Sequence, residues 1–446
     1  MLKRLSKFFD RNSSNKNDGN HRELDSHEHN LNPKKICKNA REIVRVLQKN
    51  NFEAYVVGGC VRDLLLDLNP KDFDIATNAT PQQIKRLFRR SRIIGRRFQI
   101  VHVQFGREII EVTTFRSNNA DKNGKVQQSA SGVLTRDNLF GSLLDDASRR
   151  DLSINALYYD TEKNTLHDYC DGLEDLARQK IRIIGDPATR YSEDPVRLLR
   201  AVRFAAKLGF HIDSKSLKPI SKMSDSLQHV SAPRMFDETL KLFMSGYGLA
   251  VFQLLYEYRL FAQLIPQANR LIDQGHPTAR KMVEQALTNT DLRIRSNQRV
   301  TPAFIYAALL WPAVQKIASE YEKQGHPAVS ALNKAANEVI SDQIPITAIP
   351  RRFTMAMREI WSMQLTLVKR GGNRASRSME NSRFRAAYDF ILLREQTGES
   401  LGGLGDWWTN YQDASDDERQ NMVQKLHSNK PRNRRPRRRQ KGSTDA

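Results

Sequence analysis

Three acidic residues have a spacing that could hold divalent cations. Asp72 and Asp74 flank Phe73 at the start of a predicted strand over residues 73–76, and the two-residue period of a strand places both carboxylates on one face. Glu111 lies on the second strand of a predicted hairpin and could supply a third carboxylate. Mg²⁺ needs only a few carboxylates in addition to the phosphates of its substrate. An Asp-x-Asp pair alone is equally compatible with exposed strand charges.

A glycine pair precedes these carboxylates at a position that suits phosphate binding. Gly58 and Gly59 follow a predicted strand over residues 54–57 and precede a predicted helix, so backbone N–H groups are exposed at a helix N-terminus. Arg62 and Asp63 follow in the first turn of that helix. The spacing matches neither the P-loop nor the dinucleotide-binding fingerprint. A phosphate cradle followed by paired carboxylates indicates metal-assisted phosphoryl or nucleotidyl transfer.

Two arginine-rich segments follow, and each has two interpretations. The first segment contains Arg149, Arg150, Asp151 and Asn155. The second is a predicted helix with Ser192 as its N-cap, and its charged residues are Glu193, Asp194, Arg197, Arg200 and Arg203. An i,i+4 acid–base pair on such a helix by itself indicates a salt-bridged surface. Beside a triphosphate, an Asp and an Arg one turn apart could instead contact a base edge.

The elements that must position these residues form an α/β part followed by helices. Short strands and helices alternate up to about residue 172, and helical patterns continue to about residue 410. Residues 1–32 show no hydrophobic period and are predicted to be disordered. His21, His27 and His29 in this arm could form a metal tract, but a solvated polar arm is favoured.

The chain is strongly basic. Its 446 residues carry 72 Lys and Arg against 50 Asp and Glu, a net charge of +22. Residues 430–446 contribute eight positive charges and one negative charge, so the rest of the chain retains +15. The excess indicates a polyanionic partner, most simply nucleic acid. Contact with nucleic-acid phosphate is favoured over a purely solubilising role for the tail arginines, which are Arg434, Arg435, Arg437, Arg438 and Arg439.

Secretion and membrane spanning are not expected. The longest apolar candidate, residues 303–314, is too short for a span and contains Pro312. The three cysteines are scattered without a metal or disulfide spacing, which fits a reducing compartment. The predicted localisation is therefore cytoplasmic.

Five motifs, in this order, resemble the class II nucleotidyltransferases, the family of bacterial poly(A) polymerases and tRNA CCA-adding enzymes. They are Gly-Gly-x-x-Arg-Asp (58–63), Asp-x-Asp (72–74), Glu-Val-Thr-Thr-Phe-Arg (111–116), Arg-Arg-Asp-x-x-x-Asn (149–155) and Glu-Asp-x-x-Arg-x-x-Arg (193–200). The resemblance implies an α/β nucleotidyltransferase head with a small mixed sheet, followed by an all-helical neck, body and tail. The implied divisions are a disordered arm (1–32), the head (33–172), the neck (173–250), an RNA-binding body (251–410) and a basic disordered tail (411–446).

The resemblance also implies residue roles. Asp72 and Asp74 would bind two Mg²⁺ ions, one lowering the pKa of the RNA 3′-hydroxyl and the other steadying the leaving pyrophosphate. The implied catalytic residues are Asp72, Asp74, Glu111 and Asp151. Asp194 and Arg197 would read the base of the incoming ATP, with Glu193 fixing Arg197. The implied nucleotide-binding residues are Gly58, Gly59, Arg62, Asp63, Arg150, Asn155, Glu193, Asp194, Arg197 and Arg200.

Residues 93–103 resemble the stretch that marks the poly(A) polymerase branch. Arg96, Arg97 and Phe98 in this stretch could touch phosphate and stack on a base, or they could simply pack against the protein. The favoured hypothesis is a template-independent adenylyltransferase that adds AMP from ATP to RNA 3′ ends and so takes part in mRNA processing and turnover. RNA-degradation or RNA-chaperone proteins are candidate partners, and the oligomeric state is left open. The alternatives are a tRNA CCA-adding enzyme and a non-catalytic RNA-binding protein on the same fold.

Overall fold

The computed structural model describes residues 21–29, 31–95, 99–117, 127–128, 134–136 and 140–428. The chain divides into two compact units, residues 1–264 and residues 265–446. Strands occur in the first unit, and the described part of the second unit is helical. No helix within the described ranges is both long and apolar enough to cross a membrane.

A mixed sheet organises the first unit. The strands are β1 (Arg22–Leu24), β2 (Ala54–Val57), β3 (Asp74–Thr77), β4 (Ser91–Ile94), β5 (Ile100–Phe105), β6 (Glu108–Thr114), β7 (Gln127–Gln128), β8 (Leu134–Arg136), β9 (Leu157–Asp160), β10 (Thr165–Asp168), β11 (Lys180–Ile181) and β12 (His211–Ile212). Eight of them form a sheet in the order β1-β10-β9-β2-β3-β6-β5-β4. Within it β3 and β6 are parallel neighbours, whereas the other neighbours are antiparallel. The predicted hairpin is confirmed as β5–β6, which turns between Phe105 and Glu108.

A single row of cross-strand neighbours runs along this sheet from β5 to β1. Its members are His102, Glu111, Asp74, Val57, Tyr158, His167 and Glu23. Directly opposed residues in a sheet point to the same face. Asp74 and Glu111 therefore share a sheet face with His102 on one side of them and His167 on the other.

The first unit also contains helices, which lie between and after these strands along the chain. They are α1 (Lys38–Lys49), α2 (Gly59–Leu65), α3 (Pro81–Leu87), α4 (Leu143–Arg149), α5 (Gly172–Ala177), α6 (Pro187–Glu193), α7 (Val196–Leu208), α8 (Ser214–Leu217), α9 (Ala232–Phe243), α10 (Gly248–Glu257) and α11 (Phe261–Leu264). In the described part of the first unit, 3₁₀ helices span Pro33–Lys35, Ser153–Asn155 and Ser221–His229. Local signals begin several of the helices: α3 starts with a Thr80/Gln83 capping box and Pro81, and α4 starts with a Ser142/Asp145 capping box.

The prediction that the N-terminal arm is disordered is wrong for residues 21–29. β1 pairs with β10 at the edge of the sheet, and Leu24 is buried there. The ring of His29 is also buried, and its Nε2 lies 2.9 Å from the carbonyl oxygen of Asn164. A strand of three residues is too short to show an alternating pattern, so the sequence carried no period to detect. Residues 1–20 lie outside the described part of the chain.

The predicted helix start at Ser192 is also wrong. α6 begins earlier, with Asp186 as its N-cap, and it ends at Glu193. Asp194 is extended, with φ −149°, because the residue before a proline is disfavoured in the helical region, and α7 begins after Pro195. The acidic pair therefore lies at a break between two helices rather than within one.

The second unit is a set of packed helices. They are α12 (Pro266–Asp273), α13 (Ala279–Arg295), α14 (Pro302–Lys323), α15 (Ala328–Thr347), α16 (Arg351–Leu367), α17 (Arg374–Met379), α18 (Phe384–Gln396), α19 (Leu404–Asp413) and α20 (Asp416–Ser428). α14 packs against α13, α15 and α16, and Trp408 of α19 is fully buried in a cluster with Phe384 and Leu367. The prediction of a disordered tail from residue 411 is therefore wrong up to residue 428. The predicted neck–body boundary at residue 250 falls inside the first unit.

Candidate active site

The turn between β2 and α2 requires glycine at its first position. Gly58 has a φ of +83°, a backbone angle that residues with a side chain rarely adopt. Its N–H donates to the carbonyl oxygen of Leu157 at 3.1 Å. A Cβ at this position would lie 3.3 Å from Nη1 of Arg150. The turn therefore presents bare backbone, which a phosphate can approach closely. The predicted strand–Gly–Gly–helix arrangement is confirmed, and phosphate binding by Gly58 and Gly59 stays a prediction.

Arg62 is held inside the protein. Its side chain is 3% exposed, and Nε and Nη2 donate to Oδ1 of Asp63 at 2.8 and 2.6 Å. Its Nη1 donates to Oδ1 of Asn155 at 2.5 Å, and its guanidinium lies over the ring of Phe204. These contacts join the glycine turn to the 3₁₀ helix at residues 153–155 and to α7. They favour a positioning role, and direct contact of Arg62 with a triphosphate stays a prediction.

Strand register brings two of the predicted carboxylates together. Asp74 and Glu111 are direct neighbours in the parallel pair β3–β6, and Asp72 lies exposed just before β3. Burial, followed by the charge of Glu111 and more weakly that of Asp72, raises the pKa of Asp74 to about 6. The charge of Arg150 opposes this rise. Asp74 is therefore a partly buried acid among like charges, a situation that a bound cation would relieve.

The donor chemistry of these acids fits a hard divalent cation. Carboxylate oxygens are the ligands that Mg²⁺ prefers. Within the described residues, however, the three side chains do not converge as closely as three ligands of one ion. Oε1 of Glu111 lies 3.2 Å from Nε2 of His102. His102 was not predicted as a site residue, although the hairpin register places it opposite Glu111.

Arg150 is fixed by two residues that the sequence did not indicate as site residues. Its Nε donates to the hydroxyl of Tyr158 at 2.9 Å, and its Nη2 donates to Oδ2 of Asp146 at 3.0 Å. The Tyr158 hydroxyl itself donates to Asp146 at 2.7 Å. Burial works against the charged form, but Tyr158 and Asp146 outweigh it and raise the pKa of Arg150. The i,i+4 spacing of Asp146 and Arg150 was the one available sequence signal for this contact.

Two further predicted site residues form ion pairs across long sequence separations. Asp151 accepts a hydrogen bond from Nε of Arg200. Burial would raise the pKa of Asp151, but the charge and hydrogen bond of Arg200 prevail and lower it to about 2. Asp194 receives both Nη groups of Arg234, one on each carboxylate oxygen, at 2.8 and 2.7 Å. Arg234 lies on α9, 40 residues away, and no local pattern could have indicated it.

Glu193 holds two arginines at the break between α6 and α7. Its Oε2 accepts from Nη1 of Arg197 at 3.0 Å and from Nη1 of Arg190 at 2.7 Å. Arg190, another residue that was not predicted, also donates from Nη2 to the carbonyl oxygens of Arg149 and Arg150. The predicted contact of Glu193 with Arg197 is present, although a helix break separates the two residues. Arg190 therefore links the C-terminal end of α6 to the segment that contains Arg150 by hydrogen bonds.

Positive charge is concentrated around Arg149. Burial and then the charges of Arg116, Arg190 and Arg197 lower the pKa of Arg149 to about 10. Even so, Arg149 stays protonated at neutral pH, and its Nη1 donates to the carbonyl oxygen of Ser117 at 2.6 Å. Four guanidinium groups close enough to influence one another suit a polyanionic ligand such as a triphosphate or an RNA backbone.

Two predicted RNA-binding groups cannot be placed. Both lie outside the described residues, so their RNA contacts stay predictions. They are the group before β5 (Arg96, Arg97 and Phe98) and the tail arginines (Arg434, Arg435, Arg437, Arg438 and Arg439).

Three protein families match successive parts of the chain. Residues 54–182 match the family described as "Poly A polymerase head domain". Residues 209–272 match "Probable RNA and SrmB- binding site of polymerase A", and residues 324–442 match "Polymerase A arginine-rich C-terminus". The second match crosses the predicted neck–body boundary at residue 250, and the third extends into the predicted tail.

Known proteins that resemble this chain include poly(A) polymerases and tRNA-processing enzymes. Poly(A) polymerase I of Haemophilus influenzae is 44% identical over 421 residues, which cover 92% of this chain and 93% of that protein. A CCA-adding enzyme of Lactobacillus helveticus is 36% identical over 221 residues, which cover 50% of this chain and 53% of that enzyme. The solved "Structure of tRNA-processing enzyme complex 3" superposes with a TM-score of 0.56 at 20% identity, covering 86% of this chain and 98% of the other, and it supports the fold alone.

Proposed function

The chain belongs to the poly(A) polymerase family, and from this premise we propose how its residues divide the work of adenylyl transfer. It is a polynucleotide adenylyltransferase, a nucleotidyltransferase that adds AMP from ATP to RNA 3′ ends. The observation that supports the proposed chemistry most is the position of Asp74. It is a partly buried acid with Glu111 as its register neighbour, and it follows the bare glycine turn in the chain.

Asp72, Asp74 and Glu111 are the proposed holders of two Mg²⁺ ions. When bound, Mg²⁺ would lower the pKa of the RNA 3′-hydroxyl and offset the negative charge of the departing pyrophosphate. The raised pKa of Asp74 supports this assignment, because the like charges around it require compensation that a cation supplies. Asp74 and Glu111 are held by strand backbone, so their spacing is set by the sheet rather than by a loop.

The triphosphate is proposed to lie against the glycine turn and the nearby guanidinium groups. Gly59 would offer a backbone N–H group, Gly58 would let the phosphate approach the backbone closely, and Arg150 would offer a fixed positive charge. Arg150 suits this role because Asp146 and Tyr158 orient it before any ligand binds. Arg62 and Asn155 would act by holding the turn in place.

The base is proposed to be read at the break between α6 and α7. A carboxylate can accept from the amino group of adenine, and a guanidinium can donate to the adjacent ring nitrogen. Asp194 and Arg197 are the candidates, with Arg234 and Glu193 holding them. Cytosine offers the same donor and acceptor, so these two side chains alone do not exclude CTP. The rigidity of their supports and the stretch at residues 93–103 are the proposed sources of ATP preference.

The cellular assignment follows from the same family. We propose a role in mRNA processing and RNA turnover in the cytoplasm. Residues 209–272 match a family described as a probable RNA and SrmB binding site, and they are the proposed contact region for RNA or for an RNA-chaperone protein.

Single-nucleotide incubations test the function. The purified chain is mixed with a 3′-hydroxyl RNA, Mg²⁺ and ATP, CTP, GTP or UTP separately, and a tRNA that lacks its 3′ end serves as a second acceptor. We expect long extension with ATP on the RNA and little extension with the other nucleotides. If CTP is added to the shortened tRNA as readily as ATP, the chain is a CCA-adding enzyme instead. If no nucleotide is added, a non-catalytic RNA-binding role replaces both.

A further inference from the structure

Two histidines and a glutamate meet where β1 joins the edge of the sheet. Glu23 of β1 lies opposite His167 of β10, and His21 lies two residues before Glu23. Residues two apart along an extended chain share a face, so the three side chains lie on one face of the sheet. One metal-binding atom of each residue lies within 4.8 Å of the other two. We propose that His21, Glu23 and His167 form a zinc-binding site.

The distances are close to those between ligands of one tetrahedral ion. Zinc binds histidine nitrogen at about 2.0–2.1 Å, so tetrahedral ligand atoms lie about 3.3–3.4 Å apart. Nε2 of His21 lies 3.4 Å from Nδ1 of His167, and this Nδ1 lies 3.8 Å from Oε2 of Glu23. As a direct hydrogen bond between two rings, 3.4 Å is long. As the separation of two ligands of one ion, it is the expected value.

Neighbouring residues contact both imidazole rings. Nε2 of His167 lies 3.2 Å from the hydroxyl oxygen of Thr165, which can accept the Nε2–H and so leave a lone pair on Nδ1. Metal-binding histidines typically use their second ring nitrogen for such a contact. The ring of His21 stacks on Tyr169, with 4.2 Å between centroids and 12° between planes. His21, although exposed, is therefore supported by packing on one side.

The donor set favours zinc over the cation proposed for catalysis. Imidazole suits Zn²⁺, whereas Mg²⁺ prefers oxygen ligands. Two histidines and one carboxylate supply three ligands, and His21 and Glu23 are exposed enough to leave a fourth position for water. The site differs in this respect from Asp72, Asp74 and Glu111, which offer only oxygen.

The proposed zinc site is separate from the carboxylates although it lies in the same cross-strand row. Three strand-to-strand steps separate His167 from Asp74, about 14 Å at the usual spacing of neighbouring strands. Ions that share a two-metal centre lie about 3.5–4 Å apart, so zinc here is neither of the catalytic ions. Its effect is to fasten β1, a strand of three residues, to β10. The metal would thereby tie residues 21–29 to the sheet.

Zinc binding to the full chain tests the proposal without reference to enzymatic activity. The protein is treated with chelator, transferred to buffer with excess Mg²⁺ to cover the carboxylates, and titrated with ZnCl₂ by calorimetry. Thermal melting is recorded with and without zinc, and Co²⁺ is used as an absorbing substitute. We expect one zinc per chain, a higher melting temperature with zinc, and Co²⁺ absorption bands typical of a four-coordinate site.

Matched variants separate binding at this site from adventitious binding. His21→Ala and Glu23→Gln change exposed side chains and should abolish the zinc-dependent rise in melting temperature. Thr165→Val keeps the side-chain shape, removes the hydroxyl and should weaken zinc binding by about 10–100-fold. His27→Ala removes an exposed histidine of the same arm and should bind zinc as the unaltered chain does.

Three results would overturn the proposal. They are the absence of zinc binding by the unaltered chain, full binding by His21→Ala, or an equal loss in His27→Ala. Each is measured on the metal itself, so it leaves the proposed adenylyl transfer unaffected.

Discussion

The predicted head and neck use charged residues in opposite ways. In the head, the charges of Glu111 and Asp72 add to one another at Asp74 and, with burial, raise its pKa to about 6. At the break between α6 and α7 in the neck, each acid instead meets arginine. Asp194 receives two hydrogen bonds from Arg234, and Glu193 accepts from two further guanidinium groups.

This difference separates acids that would bind a cation from acids that are paired with arginine. Acids placed among like charges weaken the folded state until a cation binds, so such a group is better suited to binding a ligand than to stabilising the fold. A paired acid contributes little net stability while intact, but removal of one partner leaves a buried charge uncompensated. Removing an acid from the group of like charges at Asp74 should therefore cost activity, and removing an acid of an ion pair should cost stability.

The largest expected effect is on catalysis. Asp74→Asn should lower nucleotide addition by about 10³-fold, because the contribution of a bound metal ion is several kcal/mol. The melting temperature should stay the same or rise, because one of several like charges is removed. Initial rates and thermal melting measure both quantities. Glu108→Gln, an exposed acid of β6, is the matched control and should keep its activity. Near-normal turnover in Asp74→Asn or Asp72→Asn would show that the metal assignment is wrong.

The second effect is on folding. Asp151→Asn should lower the free energy of unfolding by about 2 kcal/mol, because Arg200 loses its partner. The loss is smaller than for a fully buried pair, since 32% of the Arg200 side chain is exposed. Urea unfolding measures it, and the double variant Asp151→Asn/Arg200→Met should recover part of the loss. An unchanged urea midpoint for the single variant would contradict the proposed difference between clustered acids and acids paired with arginine.

The third effect concerns base choice. Arg197→Ala should lower kcat/KM for ATP. The loss should correspond to about 1–3 kcal/mol of activation free energy, the value of one bidentate base contact. Arg234→Lys keeps the charge but loses the bidentate contact with Asp194. It should therefore lower the ratio of ATP to CTP addition, with a smaller loss in rate. Side-by-side extension with the two nucleotides measures both. The control is Arg178→Ala, which removes an exposed arginine at the C-terminal end of α5. An equal loss of kcat/KM in this variant would refute the assignment.

The fourth effect is on the pH dependence of stability without Mg²⁺. The folded pKa of Asp74, about 6, lies above the ordinary value of 3.8, so the folded state binds a proton first and stability should rise as pH falls from about 6 to 4. The folded pKa of Asp151, about 2, lies below 3.8, so its contribution should be lost as pH falls from about 4 to 2. Urea unfolding at successive pH values tests both signs. Asp74→Asn should remove the pH dependence of stability between about pH 6 and 4 and leave the dependence at lower pH unchanged. A stability profile identical to that of the unaltered chain would contradict this account.

The smallest expected effect on chemistry comes from the basic tail. Deleting residues 430–446 should raise the KM for RNA and flatten its dependence on salt, because fewer counterions are released on binding. The rate at saturating RNA should hardly change. KM measurements at several salt concentrations decide the matter, and an unchanged salt dependence would return the tail to a solubilising role.

Much of the catalytic sheet could be predicted because its signals are local. The strand before Gly58, the hairpin β5–β6 and the capped start of α3 each depend on a few adjacent residues whose pattern identifies the element. The helix break at Asp194 also had a local signal in Pro195, which the prediction placed inside one helix. Asp186 followed by proline marks an earlier helix start that competes with Ser192.

The sequence by itself determined which chemical groups the protein carries and their order along the chain. It indicated a turn of bare backbone, acids suited to Mg²⁺ and guanidinium groups suited to phosphate. Only the tertiary structure decided which groups meet: Arg62 with Asn155, Asp194 with Arg234, and His21 with His167. These partners lie 40 to 146 residues apart. Periodicity describes only which face of its own element a residue occupies, and the pairing of distant elements depends on how the whole unit packs.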